Sequence, residues 1–456
     1  MAADQHPVES LSAKLLHTRF EDFPAATIAK VKLHILDTLG VALAGAASAE
    51  TRAIMTGLGL RADSGRSAAW GLACQLNPRS ASFINGVSAH ALELDDSGGC
   101  DHSGAVVLPA ALALLPEIDH PVSGQTLLRA VLLGYETGRR VLEASGGYEQ
   151  HNALGWHSTG TCGVFGAAAA AGLLLDLDPQ QLVSALGIAC SYAGGTWGFI
   201  HDGSQSKKLH PGRAAEGGVS AALLAAAGFQ GPRAVFDPGV WGSFFSCFAT
   251  GSVDAEALCR DYGVNWRLNR CSIKPYATCR GTHSAIDALK LLLSTHQLDP
   301  ARVERVEVAM SPFQHGMCAG KSVNTRAEAQ MSLPYALAAQ LHFGRVGLAQ
   351  LEDQALCAPE IQRWLARITA RSDSAMADDA EPVVTLYCAT QHFSATEPNP
   401  LGSPDNPLSQ PQLIEKFTDL ATGVLPSAAL AALQHTVLTL EQHADVRGLT
   451  ELLCAY

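Results

Sequence analysis

Arg302-Val-Glu-Arg-Val-Glu-Val-Ala-Met310 is where the character of this 456-residue chain changes. Val303, Val306 and Val308 stand among charged residues, a β-branched pattern that predicts a strand. The stretch 383–393 collects Val, Thr, Leu and Tyr and predicts another. Helical patterns at 281–294 and 333–342 accompany them, so the segment from about 270 to 399 reads as α+β. Strands interleaved with helices need a sheet and a core of their own.

Outward from this segment, the chain is helical on both sides. Residues 1 to about 265 carry apolar positions at three- and four-residue spacing, with Ala and Leu outnumbering β-branched residues. In 24–44, Pro24 suits a first helical turn and Ile28, Val31, Ile35 and Leu39 fall on one face. Ser123 is the expected N-cap of 127–144. Asp178-Pro179 with Gln181 gives a cap, a first-turn proline and a capping-box partner ahead of 182–192. Downstream, 396–408 holds four prolines in thirteen positions and reads as a linker or long turn, after which 410–453 returns to amphipathic helix. The expected architecture is mainly α with an α+β insert: residues 1–268 and 400–456 form one all-helical domain, and 269–399 a smaller α+β domain.

Composition narrows the function. Hydrophobic residues make up 47% and charged residues only 16%, which excludes a disordered chain and supports a large core. Lys and Arg number 31 against 43 Asp and Glu, a formal charge of −12. Nucleic acid as a partner is therefore disfavoured. The pairs Arg139-Arg140 and Lys207-Lys208 lie in apolar or glycine-rich surroundings, the setting of a positive pocket for a small anion. The apolar runs at 106–115 and 163–175 are shorter than the roughly 20 residues a membrane span needs. The opening MAADQHPVES lacks the basic start and apolar core of a secretory signal. Twelve scattered cysteines form no CxxC pair and read as buried thiols, so a cytoplasmic location is expected. There is no GxGxxG after a strand, no GxxxxGK[ST], no GxSxG and no HExxH, so neither a nucleotide fingerprint, nor a serine hydrolase elbow, nor a zinc motif is present.

Chemistry is expected where ionisable groups sit in small or apolar sequence, because their burial is costly without a partner or a task. Five segments qualify. The first runs from His90 through Glu93, Asp95, Asp96 and Asp101 to His102: four carboxylates and two histidines in thirteen residues. Crowded carboxylates raise one another's pKa and suit an acid or base near neutrality; a solvated acidic turn is the alternative. The second is Gly155-Trp-His157-Ser-Thr-Gly, a histidine ahead of a helix of tiny residues, where a structural histidine competes with a catalytic one and the glycines admit a ligand. The third, Lys207-Lys208-Leu-His210-Pro-Gly-Arg213, has three cations and a histidine in seven residues and reads as a carboxylate clamp, against a surface basic turn. The fourth is Lys274-Pro-Tyr-Ala-Thr-Cys-Arg280-Gly-Thr-His283, in which Arg280 and His283 share a face if a helix begins near Arg280. In the fifth, Pro334-Tyr335, tyrosine is either core or a donor.

Taken in order, Phe83-Ile-Asn85-Gly86 through His90 and Asp95-Asp96, Trp156-His157-Ser-Thr-Gly160-Thr-x-Gly163-Val-Phe-Gly166, Lys207-x-Leu-His210-Pro-Gly212 and Lys274-Pro-Tyr-x-x-Cys-Arg280-x-x-His283 resemble the MmgE/PrpD family over nearly the whole chain. That family includes 2-methylcitrate dehydratases, cis-aconitate decarboxylases and iminodisuccinate epimerases. The resemblance implies a helical domain with an α+β lid, a homodimer, and neither metal nor organic cofactor. Carried over by motif, it implies pocket residues Glu93, Asp95, His102, His157, Lys207, Lys274, His283 and Tyr335. Two positions depart from the family pattern: Glu93 stands where aspartate is usual, and Ser103-Gly104 follows His102 where Pro-Ser is usual.

These reactions share a carbanion beside a carboxylate. The expected roles are proton transfer by His102 and His157, tuned or replaced by Glu93 or Asp95, with Tyr335 assisting. Lys207 acts on the substrate with them, and Lys208, Lys274, Arg280 and His283 bind carboxylates. The first three segments come from the helical body and the last two from the insert, so a pocket at their junction that closes on substrate is expected. The favoured activity is a cofactor-independent dehydratase of a small hydroxy-polycarboxylate. The alternatives are an epimerase or racemase of a dicarboxylate, a decarboxylase of a cis-aconitate-like acid, and a non-catalytic helical dimer.

Overall fold

The computed structural model describes residues 6–251 and 253–454; residues 1–5, on which half of the secretory-signal reading falls, lie outside it. The chain divides into two compact units. One takes the residues up to Trp197, Ser206–Ile273 and those from Ser409 onward. The other takes Gly198–Gln205 and Lys274–Leu408. The crossings fall at 273/274 and 408/409, where 268/269 and 399/400 were expected. The excursion Gly198–Gln205 is not evident from sequence, because nothing in its eight residues, Gly-Phe-Ile-His-Asp-Gly-Ser-Gln, signals a change of unit.

The first unit is a helical body. Its helix Ala25–Gly45 follows Pro24 and buries Val31, Ile35 and Leu39, the expected face. Gly124–Ala144 begins where the Ser123 Oγ accepts the Thr126 N–H at 3.1 Å. Pro179–Ala189 is opened by a complete capping box: Asp178 accepts the N–H groups of Gln180 and Gln181 at 2.8 and 2.9 Å, and the Gln181 side chain accepts that of Asp178. Such caps contribute about 1 kcal/mol each. Two helices, Gly104–Leu114 and Gly163–Leu174, are buried along their whole length. Gly163–Leu174 meets Gly124–Ala144 at a pair of glycines: a Cβ on Gly166 would stand 2.5 Å from the Gly134 carbonyl oxygen. The unit also holds a short antiparallel ribbon, Ser64–Ala68 with Gln75–Leu76, and isolated bridges such as Ser97 with Ser272.

The predicted C-terminal helical stretch is two helices, Gln410–Ala421 and Ser427–Leu438, followed by 3-10 turns. The first lies on Ala25–Gly45, where Gly40 leaves room for the Phe417 ring, 3.0 Å from the place a Cβ would occupy. Lys416 reaches across to Asp37 at 2.6 Å and to the Leu94 carbonyl at 2.9 Å.

The second unit is built on a four-stranded sheet in the order Ile368–Ser372, Arg305–Met310, Val383–Cys388, Gln391–Ala395. The first pair is parallel and the other two antiparallel. The stretch 383–393 is thus a hairpin, not one strand, turning at Ala389 with φ of 49°. Ile368–Ser372 was not predicted; it follows directly on the helix Pro359–Arg367 and buries only its first residue fully. The helices His283–Thr295 and Leu333–Phe343 pack against this sheet as the pattern requires.

Among the described residues, no single helix is long and apolar enough to cross a membrane.

Candidate active site

Two helices of the first unit bring the acidic and basic segments together. Pro78–His90 and Ser206–Ala226 cross at Gly86 and Gly212 with backbones almost touching: a Cβ on Gly86 would lie 2.8 Å from the Gly212 Cα, and one on Gly212 would lie 2.4 Å from the Phe83 carbonyl oxygen. One turn from that crossing, His90 ends the first helix while Lys207 and Lys208 begin the second. Small residues here act as spacers that set how near the charges come.

The loop after His90 supplies the carboxylates. Glu93 holds a left-handed backbone (φ 54°), as does Asp101 (φ 96°). For residues with a Cβ this costs on the order of 1–3 kcal/mol, and such strain concentrates at functional sites. Asp96 anchors the loop from behind: its carboxylate accepts from the Tyr135 hydroxyl at 2.6 Å and the Gly104 N–H at 3.0 Å, and contacts the His34 Nδ1 at 3.1 Å. Ser97 and Ser272 exchange backbone hydrogen bonds of 3.0 and 2.8 Å, which holds the loop at its other side.

Within this frame Glu93 is clamped by two ammonium groups, Lys207 Nζ at 2.5 Å from Oε1 and Lys208 Nζ at 2.7 Å from Oε2. All three side chains are at most 5% exposed. Burial lowers the pKa of Lys208, the nearby Glu93 carboxylate only partly offsetting it. Asp95 lies between two imidazoles, His90 Nδ1 at 3.0 Å and His102 Nδ1 at 3.1 Å. Burial opposes its ionisation, but the His90 and His102 imidazoles outweigh this and hold the carboxyl well below the usual range. His90, wholly buried, is pushed well below an ordinary histidine by desolvation.

Asp101 touches a second histidine pair, His102 Nε2 at 3.5 Å and His157 Nε2 at 3.3 Å. Burial again opposes ionisation, and those imidazoles together with Lys207 keep Asp101 low. His157 is fully buried and brought down to about 4, chiefly by desolvation, with Asp101 pulling the other way. Its Nδ1 is 2.8 Å from the Nδ1 of His210, and its ring lies edge-on to Trp197 at 5.1 Å. His210 is lowered to about 3, again by burial.

Of the residues proposed from sequence, Glu93, Asp95, His102, His157, Lys207 and Lys208 therefore converge in one buried cluster of the first unit. Asp101 and His210 belong to the same cluster and were not singled out. In the sequence Asp101 is one of four crowded carboxylates, and His210 stands out only as a neighbour of the lysines. The signal for Asp101 was its place after Gly-Gly-Cys, in a turn tight enough to need unusual backbone angles.

Lys274, Arg280, His283 and Tyr335 belong to the second unit. There Lys274 is buried, and Arg280 pairs with Glu381 at 2.7 Å. Arg280 lies in a 3-10 turn, Arg280–Thr282, and His283 opens the helix that follows; its Nε2 lies 3.3 Å from the Thr278 carbonyl oxygen. The buried Tyr335 hydroxyl donates to the Gln350 carbonyl, and burial pushes its pKa well up. Tyr335 is thus a reluctant acid whose proton is already engaged.

Two groups have ligand atoms within 4.8 Å of one another, His90 with Asp95 and His102, and Asp101 with His102 and His157. The charge of Lys207 already acts on Asp101 of the second group, where it would compete with a cation. The arrangement is equipped instead to hold an anion against buried ammoniums and to pass protons through imidazoles of low basicity.

Comparison with known proteins identifies the family. The MmgE/PrpD N-terminal domain matches residues 9–256 and the MmgE/PrpD C-terminal domain residues 276–442. The cis-aconitate decarboxylase-like protein oryM of Aspergillus oryzae is 30% identical, over 99% of this chain and 98% of its own length. A cis-aconitate decarboxylase of Aspergillus terreus is 27% identical over 99% and 97%, and that of Mus musculus 27% over 98% and 93%. Both domain models together span most of the sequence, and the chain belongs to the MmgE/PrpD family.

Proposed function

We propose that this protein is a cofactor-independent lyase that decarboxylates a small unsaturated polycarboxylate of the cis-aconitate type. Supporting this are the buried Lys207–Glu93–Lys208 clamp beside His102 and His157, and the full-length likeness to enzymes named for that reaction. The clamp is the observation that carries the reading: Lys207 and Lys208 share the one carboxylate of Glu93 while Asp95 and Asp101 face the histidines, so a substrate carboxylate can replace a Glu93 oxygen on either ammonium.

In the reaction one C–CO2 bond breaks and its electron pair is delocalised through the neighbouring double bond onto a second carboxylate, which Lys207 and Lys208 stabilise. Substrate negative charge raises the basicity of His157, which takes up a solvent proton and delivers it from Nε2 to carbon. CO2 leaves, and the sum is one carboxylate and one proton converted to CO2 and a C–H bond. His102, whose Nδ1 lies 2.9 Å from the Asp96 carbonyl oxygen and 3.1 Å from the Asp95 carboxylate and whose Nε2 is toward Asp101, is the second proton-transfer group.

Dehydration of a hydroxy-polycarboxylate is the second reading, since the same cations and imidazoles serve a carbanion that expels hydroxide. NMR in deuterated water separates the two, with cis-aconitate, citrate, methylcitrate and iminodisuccinate offered in turn. The expected result is CO2 release from cis-aconitate with one deuterium fixed in the product. Water loss from methylcitrate or citrate selects the second reading, and absence of turnover or exchange with all four rejects both. Activity is expected to survive chelator dialysis, and sedimentation is expected to give the homodimer typical of the family.

A further inference from the structure

We propose that Lys416 is a positioning residue for the acidic loop: by donating to the Leu94 carbonyl it holds the main chain between Glu93 and Asp95, and so sets where both carboxylates lie. Leu94 is flanked by two residues that meet buried partners, Glu93 the ammoniums of Lys207 and Lys208, Asp95 the imidazoles of His90 and His102. Its carbonyl accepts from the Lys416 ammonium at 2.9 Å. Another N–H of that ammonium goes to Asp37 at 2.6 Å, a carboxylate with no exposed surface. The turn has strain to offset: Glu93 is left-handed, with φ of 54°, and its N–H reaches back to the His90 carbonyl at 3.2 Å as the helix ends. A hydrogen bond from an ammonium to a buried carbonyl is of the same order as the cost of a left-handed residue that carries a Cβ, so one such bond is enough to keep this shape. The clamp grips Glu93 at the far end of a flexible side chain, and Asp96 and Ser97 secure the loop further along. Lys416 acts on the main chain between the two working carboxylates.

Docking of the helix that carries Lys416 has its own means. Gln410–Ala421 buries Leu413, Phe417 and Ala421, and Phe417 sits against Gly40 of Ala25–Gly45. Lys416 stands beside that apolar face, so its ammonium can be removed while the helix keeps its seat. Removing it alone strands Asp37, whose carboxyl burial already pushes up against the pull of Lys416, with His34 of the same helix and Asp96 of the loop as its other titratable neighbours. The paired variant D37L/K416M takes out both charges and leaves neither stranded, so it separates loss of the tether from a general loss of stability.

The effect on turnover rests on the proposed function; the effect on the main chain does not, and the two are read separately. In hydrogen–deuterium exchange followed by mass spectrometry, K416M and D37L/K416M are expected to speed exchange of the segment 91–97 by about ten- to a hundredfold, the value of one hydrogen bond to a charged group. In the double variant the helices 25–45 and 410–421 are expected to stay as protected as in the wild type. K416R keeps a cationic donor and is expected to remain within a few-fold of the wild type in the loop. On turnover of cis-aconitate well below the melting temperature, both methionine variants are expected to lose at least about tenfold in kcat with KM little changed, and K416R to recover kcat to within a few-fold. Unchanged exchange at 91–97 in both variants overturns the proposal. Faster exchange in the two helices without it in the loop does so too, since Lys416 is then a docking residue. A loop that exchanges faster while kcat holds at the wild-type value overturns the positioning role. Faster loop exchange beside a wild type that turns over no polycarboxylate supports the tether and overturns the function alone.

Discussion

Glu93 is the residue on which the charge balance of the site turns. It is the counter-ion of two buried lysines, and its length lets its two oxygens reach both, at 2.5 and 2.7 Å. Glu93→Gln removes that charge and is expected to cost about 3–5 kcal/mol in denaturant unfolding, as for other buried pairs stripped of one partner. Glu93→Asp keeps the charge but draws it back, and displacement on the ångström scale is expected to lower kcat by up to about 100-fold with a much smaller loss of stability. His157→Gln is expected to lower kcat by about 100- to 10,000-fold while leaving the melting temperature within a few degrees, which a purely structural histidine would not allow. Glu93, His157 and Lys207 were legible in the sequence because charge stood out against alanine and glycine. His210 was not, because its importance lies in a ring-to-ring contact across 53 positions that no local pattern encodes.

At the scale of elements, the decisive feature is the glycine crossing of Pro78–His90 with Ser206–Ala226. Gly212→Ala puts a methyl against the Phe83 carbonyl and is expected to destabilise by about 1–3 kcal/mol, through helix separation. The same separation draws Lys207 and Lys208 away from Glu93, so activity measured well below the melting temperature is expected to fall as well. Loss of stability with full activity would show that the crossing does not set the lysines. Long helices were readable from periodicity and from their caps: Ser123 and Asp178 mark their starts through side-chain acceptors that the sequence displays openly. The strand Ile368–Ser372 was hidden because a short edge strand owes its existence to the pairing of Val306 with Ile368 and not to its own composition. The hairpin at Ala389 was hidden for a related reason, since no Gly or Asn announces its turn.

Across the whole molecule, buried neutral histidines tie stability to pH. His151 and His157 are lowered to about 4 and His210 to about 3, each chiefly by desolvation, against an ordinary value near 6.5. Below 6.5 the unfolded chain binds protons that the folded one refuses, so stability is full above that pH and declines as pH falls toward 4. The expected slope reaches about 1.4 kcal/mol per pH unit for each histidine; a urea midpoint that stays flat between pH 7 and 4.5 would contradict it. The division into a helical part and an α+β part was legible because valine-rich strands interrupt an alanine-leucine background. The passage of Gly198–Gln205 into the second unit was not, because membership of a unit is decided by long-range packing. The helical unit also has a consequence for its own synthesis. Lys416, which secures Asp37 and the backbone at Leu94 beside the acidic loop, leaves the ribosome only after the entire second unit has been translated. Nascent chains stalled before codon 410 therefore emerge with most helices of this unit made and the acidic loop held by Asp96 and Ser97 but not yet by Lys416, and a late nonsense mutation is expected to weaken the site although every proposed site residue has been synthesised.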